Sequence, residues 1–325
     1  MNKSKYSVSV IIPVYNTENY LPRALDSLIR QTLGDLEIVV VNDGSLGNCK
    51  QIVEDYQKKL CINYVNLPEN KGRMIARIEG MKEAQGEYIG FVDADDFVEP
   101  GMYEKMYHAA KQNNADIVHC LANQVSAGNK IHKWKEGAPQ HQALEGQDIF
   151  GKFLDHEIVW SLWDKLFRRE IVNVAVPEML YDRVQLNEDT IIFCVIAYYS
   201  KKYIGINEIL YNYFINETGE MKTVGYHRAS DLLEMASFVI DFCNKKGIVT
   251  RNRKLIKAIC QWPLFLITGA PLVGKFSVLG EYLKYFRRIG FGNSLISVFG
   301  YLKSCFVKFI HSLRSAIYMR ISRQK

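Results

Sequence analysis

Four short runs of β-branched and apolar residues punctuate the first hundred positions: 7–14 (SVSVIIPV), 36–41 (LEIVVV), 61–66 (CINYVN) and 87–92 (EYIGFV). Each has the length and continuity of a buried strand. Helical patterns separate them. Leu21, Leu25, Leu28 and Ile29 share one face, Gln51 to Leu60 forms a second segment, and Met74 to Gln85, closed by Gly86, a third. Strand alternating with helix predicts a mostly parallel sheet, and such sheets bind ligands beyond the carboxyl ends of their strands. The residues at those ends are polar: Pro13-Val14-Tyr15-Asn16, Asn42-Asp43-Gly44-Ser45 and Asp93-Ala94-Asp95-Asp96. Three strand ends are therefore expected to converge.

From about Ala115 the pattern changes. A strand, a turn at Ser126-Ala127-Gly128-Asn129 and an extended piece through Trp134 predict antiparallel additions to the sheet. Aromatic residues follow (Trp160, Trp163, Phe167), then a helix opening near Asn187-Glu188-Asp189. Beyond Gly225 the pattern is helical, beginning with a helix from about Ser230 that stops at Gly247. The expected division is an α/β domain over 1–225, made of a first half (1–114) and a second half (115–225), and a helical region over 226–325.

Composition narrows the classes. At 325 residues, 48% hydrophobic and 23% charged, the chain is neither disordered nor fibrous. Its seven cysteines are odd in number and never spaced Cys-x-x-Cys, which argues against a disulfide framework or structural zinc and for a reducing compartment. Lys3, Lys5 and the apolar run broken by Pro13 read as a strand start and not as a signal peptide. The longest uncharged stretch, Ala258 to Gly274, is interrupted by Pro263 and Pro271 and falls short of the roughly 20 residues of a spanning helix.

Charge is uneven. From Lys275 onward ten basic side chains face one acid, a balance of +9 that leaves −3 of the total +6 for the rest of the chain. Between Ser294 and Arg323, Leu295, Phe299, Leu302, Phe306, Ile310, Leu313 and Ile317 share one side of a helical wheel, with Lys303 and Arg314 at its border. Peripheral contact with an anionic membrane and packing on the protein's own domain both suit that face. No recognition motif accompanies the charge, so nucleic acid is not an expected partner.

Three carboxylates within Asp93-Ala94-Asp95-Asp96 repel unless a cation or donors compensate. A divalent ion such as Mn²⁺ or Mg²⁺, shared with substrate phosphates, is one compensator; a solvated turn or a cap for the helix after Pro100 is the alternative. Asp43 can accept hydrogen bonds from a base or ribose, or simply close a turn. Arg77 or Arg73 can pair with phosphate or with the acidic cluster. Glu188 and Asp189 can cap a helix, or one of them can serve as a general base. Gly269-Ala270-Pro271-Leu272-Val273-Gly274-Lys275 fits a phosphate-cradling loop, but Phe276 stands where such loops need Ser or Thr.

The ordered motifs SVSVIIPVYNTENYLPRALDSLIRQTLGDLEIVVVNDGS and ENKGRMIARIEGMKEAQGEYIGFVDADD resemble the family 2 glycosyltransferases of the GT-A fold. SLWDKLFRREI and NEDTIIF extend the resemblance to about residue 215, toward bacterial members that build capsule, exopolysaccharide or lipopolysaccharide. The resemblance implies that Pro13, Tyr15 and Asp43 line the nucleotide base. It further implies Asp93 on the ribose, Arg77 and Ala94 in the nucleotide-sugar site, and Asp95 on the Mn²⁺ or Mg²⁺ that holds the diphosphate. Asp189 is then the base, with Trp163, Lys165 and Glu188 near the acceptor or donor sugar. The chain departs from the family pattern at Asn42, where a second Asp is usual, at Leu46-Gly47, where Thr-Asp or Ser-Asp is usual, and at Ile78. It also lacks the Arg and Ser often found after Tyr211-Asn212-Tyr213.

The expected function is thus a metal-dependent inverting transfer of a hexose from a nucleotide-sugar donor, a UDP-sugar, to a glycan or lipid-linked acceptor. The expected location is the cytoplasm, at the inner face of the membrane. A binding scaffold without turnover and an NTPase using the 269–275 loop are the competing readings.

Overall fold

The structure is a computed structural model that describes residues 4–126, 130–134, 138–179, 188–215 and 226–248. The four expected strands form: β1 (Tyr6–Val14), β2 (Leu36–Asp43), β3 (Ile62–Leu67) and β4 (Gly86–Phe91). They pair in the order β3-β2-β1-β4, all parallel. Helices α1 (Leu21–Ile29), α2 (Cys49–Tyr56) and α3 (Arg73–Glu83) make the crossovers. Leu21, Ala24, Leu25 and Leu28 of α1 are buried, the spacing of a single helical stripe. α2 ends before the expected Leu60. The close approach of α3 to the sheet depends on Gly80, where an added Cβ would lie 2.5 Å from Ile11 Cγ2.

Register brings the functional ends together. Val14 pairs with Asn42, Asp43 with Leu67, and the Val92 amide donates to the Ile11 carbonyl, so β1, β2 and β4 all finish at one edge.

The second half enlarges the same sheet. β5 (Phe97–Val98) is followed by α4 (Met102–Asn113), β6 (Ile117–Ser126) and β7 (Lys130–Lys133), the last two forming the expected antiparallel pair. Then come β8 (Leu144–Glu145), α5 (Gln147–Leu154), β9 (Lys165–Arg168), α6 (Arg169–Ala175), α7 (Glu188–Tyr199), β10 (Lys202–Phe214) and α8 (Tyr226–Lys245). The full order is β3-β2-β1-β4-β9-β6-β10-β5, with β7 on β6 and β8 on β10. β9 inserts antiparallel between β4 and β6, while β10 runs parallel to β6 with register shifts around Ile209.

α7 is buried almost all round, from Thr190 to Ala197, as a helix packed inside the molecule must be. Phe242 of α8 packs 5.3 Å from Tyr198 and 6.3 Å from Phe150, ring centre to ring centre. Among the described residues no helix is long and apolar enough to cross a membrane. The expected division near residue 225, the 269–275 loop and the basic amphipathic segment all lie outside the described residues, as does Asn187.

Candidate active site

The turn after β2 is built from its own residues. Asn42 Oδ1 accepts the Ser45 amide at 3.1 Å, and its Nδ2 donates to Asn66 Oδ1 at 2.8 Å. The amide thus caps the turn where the family pattern carries an acid. Asp43 is buried, and its two carboxylate oxygens accept the backbone amides of Lys71 (2.8 Å) and Gly72 (3.0 Å), which ties the β2 end to the loop that opens α3. Gly44 lies between them at φ +71°, where a Cβ would stand 2.4 Å from the Glu69 carbonyl carbon, so only glycine fits. The departure at Leu46-Gly47 is also accommodated: Leu46 is fully exposed, and Gly47 abuts the Glu18 carboxylate. Pro13 stands opposite Val41 in the sheet, and Tyr15 is 44% exposed just past the end of β1.

The acidic turn after β4 resolves its repulsion with internal donors. Asp93 Oδ1 accepts Arg77 Nη2 at 2.8 Å. Asp96 is fully buried and accepts the Tyr211 hydroxyl at 2.6 Å and the Phe214 amide at 2.7 Å, so it joins the turn to β10. Burial, reinforced by the charges of Asp93 and Asp95, pushes the Asp96 carboxyl well above the usual range. The Tyr211 hydroxyl also accepts the Asp93 amide, at 3.2 Å. Ala94 is buried and Asp95 is partly exposed, its backbone carbonyl taking the Arg23 guanidinium. No side chain caps α4, so the turn is not a helix cap.

Arg77 connects three elements. From α3 it reaches Asp93 after β4 and, through Nη1 at 2.6 Å, Glu188 Oε1 at the start of α7. Arg73 Nη1 stands 3.5 Å from the same oxygen. Arg77 and Glu188 are 3% and 2% exposed, yet Arg77 Nε is buried with no hydrogen-bond partner. Burial alone would lower the guanidinium's pKa, but Asp93 and Glu188 outweigh it and hold it above the ordinary value.

Asp189 is the next residue. Burial first, then the Glu188 charge, pushes its carboxyl up to about 7, with Arg77, the Thr190 amide and Arg73 pulling the other way. A carboxylate at that value is divided between its two forms near neutrality, the condition under which a base works best.

Trp163 is buried and stacks on Tyr211, with ring centres 4.6 Å apart and planes 26° from parallel. Lys165, expected beside the sugars, is fully buried at the start of β9. Its Nζ donates to the Ser161 carbonyl (2.7 Å), Ser161 Oγ (3.3 Å) and Asp164 Oδ1 (2.8 Å). The structure thus joins Arg77, Asp93, Glu188 and Asp189, while Lys165 spends its hydrogen bonds on Ser161 and Asp164 and feels the cluster through the charge of Asp189. Sequence reasoning missed Tyr211, Arg23 and the Phe214 amide. The only available signal was the alternating Tyr211-Asn212-Tyr213, which marks a strand but names no partner.

The description Glycosyl transferase family 2 matches residues 9–204, which include every one of these side chains except those of β10. The chain belongs to that family. Among similar proteins, the uncharacterized glycosyltransferase EpsJ of Bacillus subtilis is 37% identical over 193 residues, covering 56% of this chain and 54% of that protein. The cholesterol galactosyltransferase of Borreliella burgdorferi is 33% identical over 193 residues, covering 55% and 54%. The chain therefore spans about half the length of the curated relatives it matches. The structure of S. aureus TarS 1–349 in complex with UDP-GlcNAc superimposes with a TM-score of 0.59 at 20% identity, covering 87% of this chain and 82% of that one. The fold is the GT-A fold.

Proposed function

We propose that the protein is an inverting hexosyltransferase that moves a sugar from a UDP-sugar to a hydroxyl of a bacterial surface glycan or lipid-linked oligosaccharide. The observation that carries this reading is Asp189, a carboxyl raised to about 7 beside the Arg77–Asp93–Glu188 cluster at the carboxyl edge of the sheet. Relatives named for surface polymers support the acceptor class: the poly(ribitol-phosphate) beta-glucosyltransferase of Bacillus spizizenii is 30% identical over 229 residues. The TarS complex with UDP-GlcNAc supports the donor class.

Each residue has a task in this reading. Pro13, Tyr15 and Asp43 border the nucleotide base, and Asp43 also holds the 71–72 amides in place. Arg77 keeps Asp93 oriented toward the ribose and carries an unused Nε–H. Asp189 takes the proton of the acceptor hydroxyl as that oxygen attacks the anomeric carbon from the face opposite the diphosphate, and one displacement inverts the centre.

Among the described residues no three His, Cys, Asp or Glu side chains form a metal cage. One partly exposed carboxylate, Asp95, nevertheless suits Mn²⁺ or Mg²⁺, which commonly bind through one or two carboxylates plus substrate phosphates. A bound ion would neutralise charge on the departing diphosphate. The basic segment beyond Lys275 supports peripheral contact with the inner face of the cytoplasmic membrane.

The test is release of UDP from a panel of UDP-sugars with Mn²⁺ or Mg²⁺ and a lipid-linked acceptor extract, for the wild type and for Asp189→Asn. One donor is expected to react, and the variant to lose about 10²–10⁴-fold in kcat with UDP affinity unchanged. A variant near the wild-type rate removes Asp189 from the role.

A further inference from the structure

Helix α1 bonds the main chain of the acidic turn and of β5 along one side. Arg23, Ser27 and, just past the helix end, Gln31 recur at the four-residue spacing of a single helical face. Arg23 Nη2 donates to the Asp95 carbonyl, Ser27 Oγ accepts the Val98 amide at 3.2 Å, and Gln31 Nε2 donates to the Glu99 carbonyl at 2.7 Å. The Thr32 amide ends the series on the Pro100 carbonyl at 2.9 Å. The backbone from Asp95 to Pro100 is therefore placed by α1.

Arg23 differs from the other members of that face in carrying a charge. Its guanidinium sits over Phe214, 3.9 Å from the ring centre, with Phe97 at 5.4 Å and Tyr20 at 5.9 Å. Three ring faces hold the cation without a carboxylate, and its Nε is buried with no hydrogen-bond partner. Asp93 has its ion pair with Arg77, whereas Arg23 meets the turn at a backbone carbonyl. Phe214 belongs to the same arrangement, since its amide donates to Asp96 Oδ1 at 2.7 Å. Each acid of the turn is thus gripped differently: Asp93 by its side chain, Asp96 by its side chain, and Asp95 by its peptide.

We infer that Arg23 is a positioning residue for the transfer proposed above, on which the inference rests: by pinning the Asp95 carbonyl it fixes where the Asp95 carboxylate stands for Mn²⁺ or Mg²⁺. Carbonyl and side chain leave the same Cα, so a peptide free to rotate would carry the carboxylate with it. A Mg²⁺ ion demands near-ideal octahedral geometry, so a displaced ligand loses affinity. Two effects of the guanidinium oppose each other. Its charge repels a divalent ion, so that removing the charge alone would tighten ion binding. Its hydrogen bond orients the ligand, so that removing the bond loosens it. Positioning requires the second effect to win.

Mn²⁺ titration followed by EPR reads that sign, on the full chain with UDP present and against UDP alone. Arg23→Met, which keeps an apolar stem over Phe214 but neither charge nor donor, is expected to weaken Mn²⁺ binding about tenfold. Arg23→Lys, which keeps the charge and a donor, should recover part of the loss. Phe214→Leu, which keeps the amide on Asp96 and removes the ring under the guanidinium, should weaken binding about threefold. It serves in place of Arg23→Met if urea unfolding shows that variant not to fold. Mn²⁺ affinity unchanged or increased in the variant used overturns the inference. A wild type that binds no UDP by calorimetry, with or without the ion, defeats the transferase reading. One that binds UDP but takes up no Mn²⁺ overturns the role of Arg23 and leaves that reading standing.

Discussion

Two buried ionic clusters, one at the carboxyl end of β4 and one between β6 and β9, use the same kinds of side chain to opposite ends. In the second, every polar atom is engaged. Lys165 Nζ has three acceptors, and Asp164 takes Lys165 on one oxygen and Ser161 Oγ (2.8 Å) and His119 Nε2 (3.0 Å) on the other. Because a carboxylate only accepts, His119 carries its proton on Nε2, and its Nδ1 takes the Tyr203 hydroxyl at 2.7 Å. That hydroxyl in turn accepts the Gln140 amide at 3.1 Å. The first cluster is left incomplete. Arg77 Nε has no partner, the Thr190 hydroxyl beside Asp189 has none, and Asp189 sits between its charged and neutral forms. A saturated network in low dielectric fixes structure, whereas an unsaturated one costs stability and keeps capacity for a ligand. That difference, more than residue type, separates Lys165 from Arg77.

The largest expected effect comes from removing one cation from each cluster. Lys165→Met should cost about 3–5 kcal/mol, because it strands a buried carboxylate, and should leave UDP affinity of the surviving folded fraction unchanged. Arg77→Met should cost a similar amount and also weaken UDP binding, since Asp93 then loses its orientation. Urea unfolding paired with calorimetry separates the two. UDP affinity lost in Lys165→Met but kept in Arg77→Met would reverse the assignment.

Acid and base should distinguish the clusters next. Asp189 has its pKa raised in the fold, so its stabilising contribution is fully present below its ordinary value of 3.8 and is lost as pH rises through about 7. His119 has its pKa lowered, by burial first and then by Lys165, so its contribution is present above 6.5 and is lost as pH falls below that. Asp189→Asn should therefore flatten the decline in stability toward neutral pH, and His119→Gln the decline on the acid side. Measured Cm against pH for the two variants checks both signs. In the wild type, turnover should rise with pH through about 7, tracking the deprotonated Asp189.

The smallest expected change tests a departure from the family pattern. Asn42→Asp replaces the Nδ2 donor facing Asn66 Oδ1 with an acceptor, and should destabilise the protein by about 1 kcal/mol while keeping the Ser45 cap. A gain in stability would mean that Asn66 turns its amide to meet the new carboxylate.

Much of the first half was legible because its signals are local. A run such as VSVIIPV carries its burial in its own composition, and a strand end followed by Asn-Asp-Gly-Ser states its turn in four adjacent residues. The motifs of that half therefore appear where the pattern put them. β9 was not legible. Lys165-Leu166-Phe167-Arg168 is four residues long and bounded by charges, and it becomes a central strand only because β4 and β6 present open edges on both sides of it. β10 was obscured in the same way by Gly205 and the register shifts near Ile209.

What the sequence by itself determined is the parallel half of the sheet, the acidic turn and the presence of a Glu-Asp pair at a helix start, since each depends on spacing within a few residues. Only the tertiary structure decided which charges meet. Arg77 and Glu188 are 111 positions apart, and Asp96 and Tyr211 are 115 apart. Whether a carboxylate is paired, capped or raised to the threshold of a base depends on the neighbours and the water removed around it, and packing sets both.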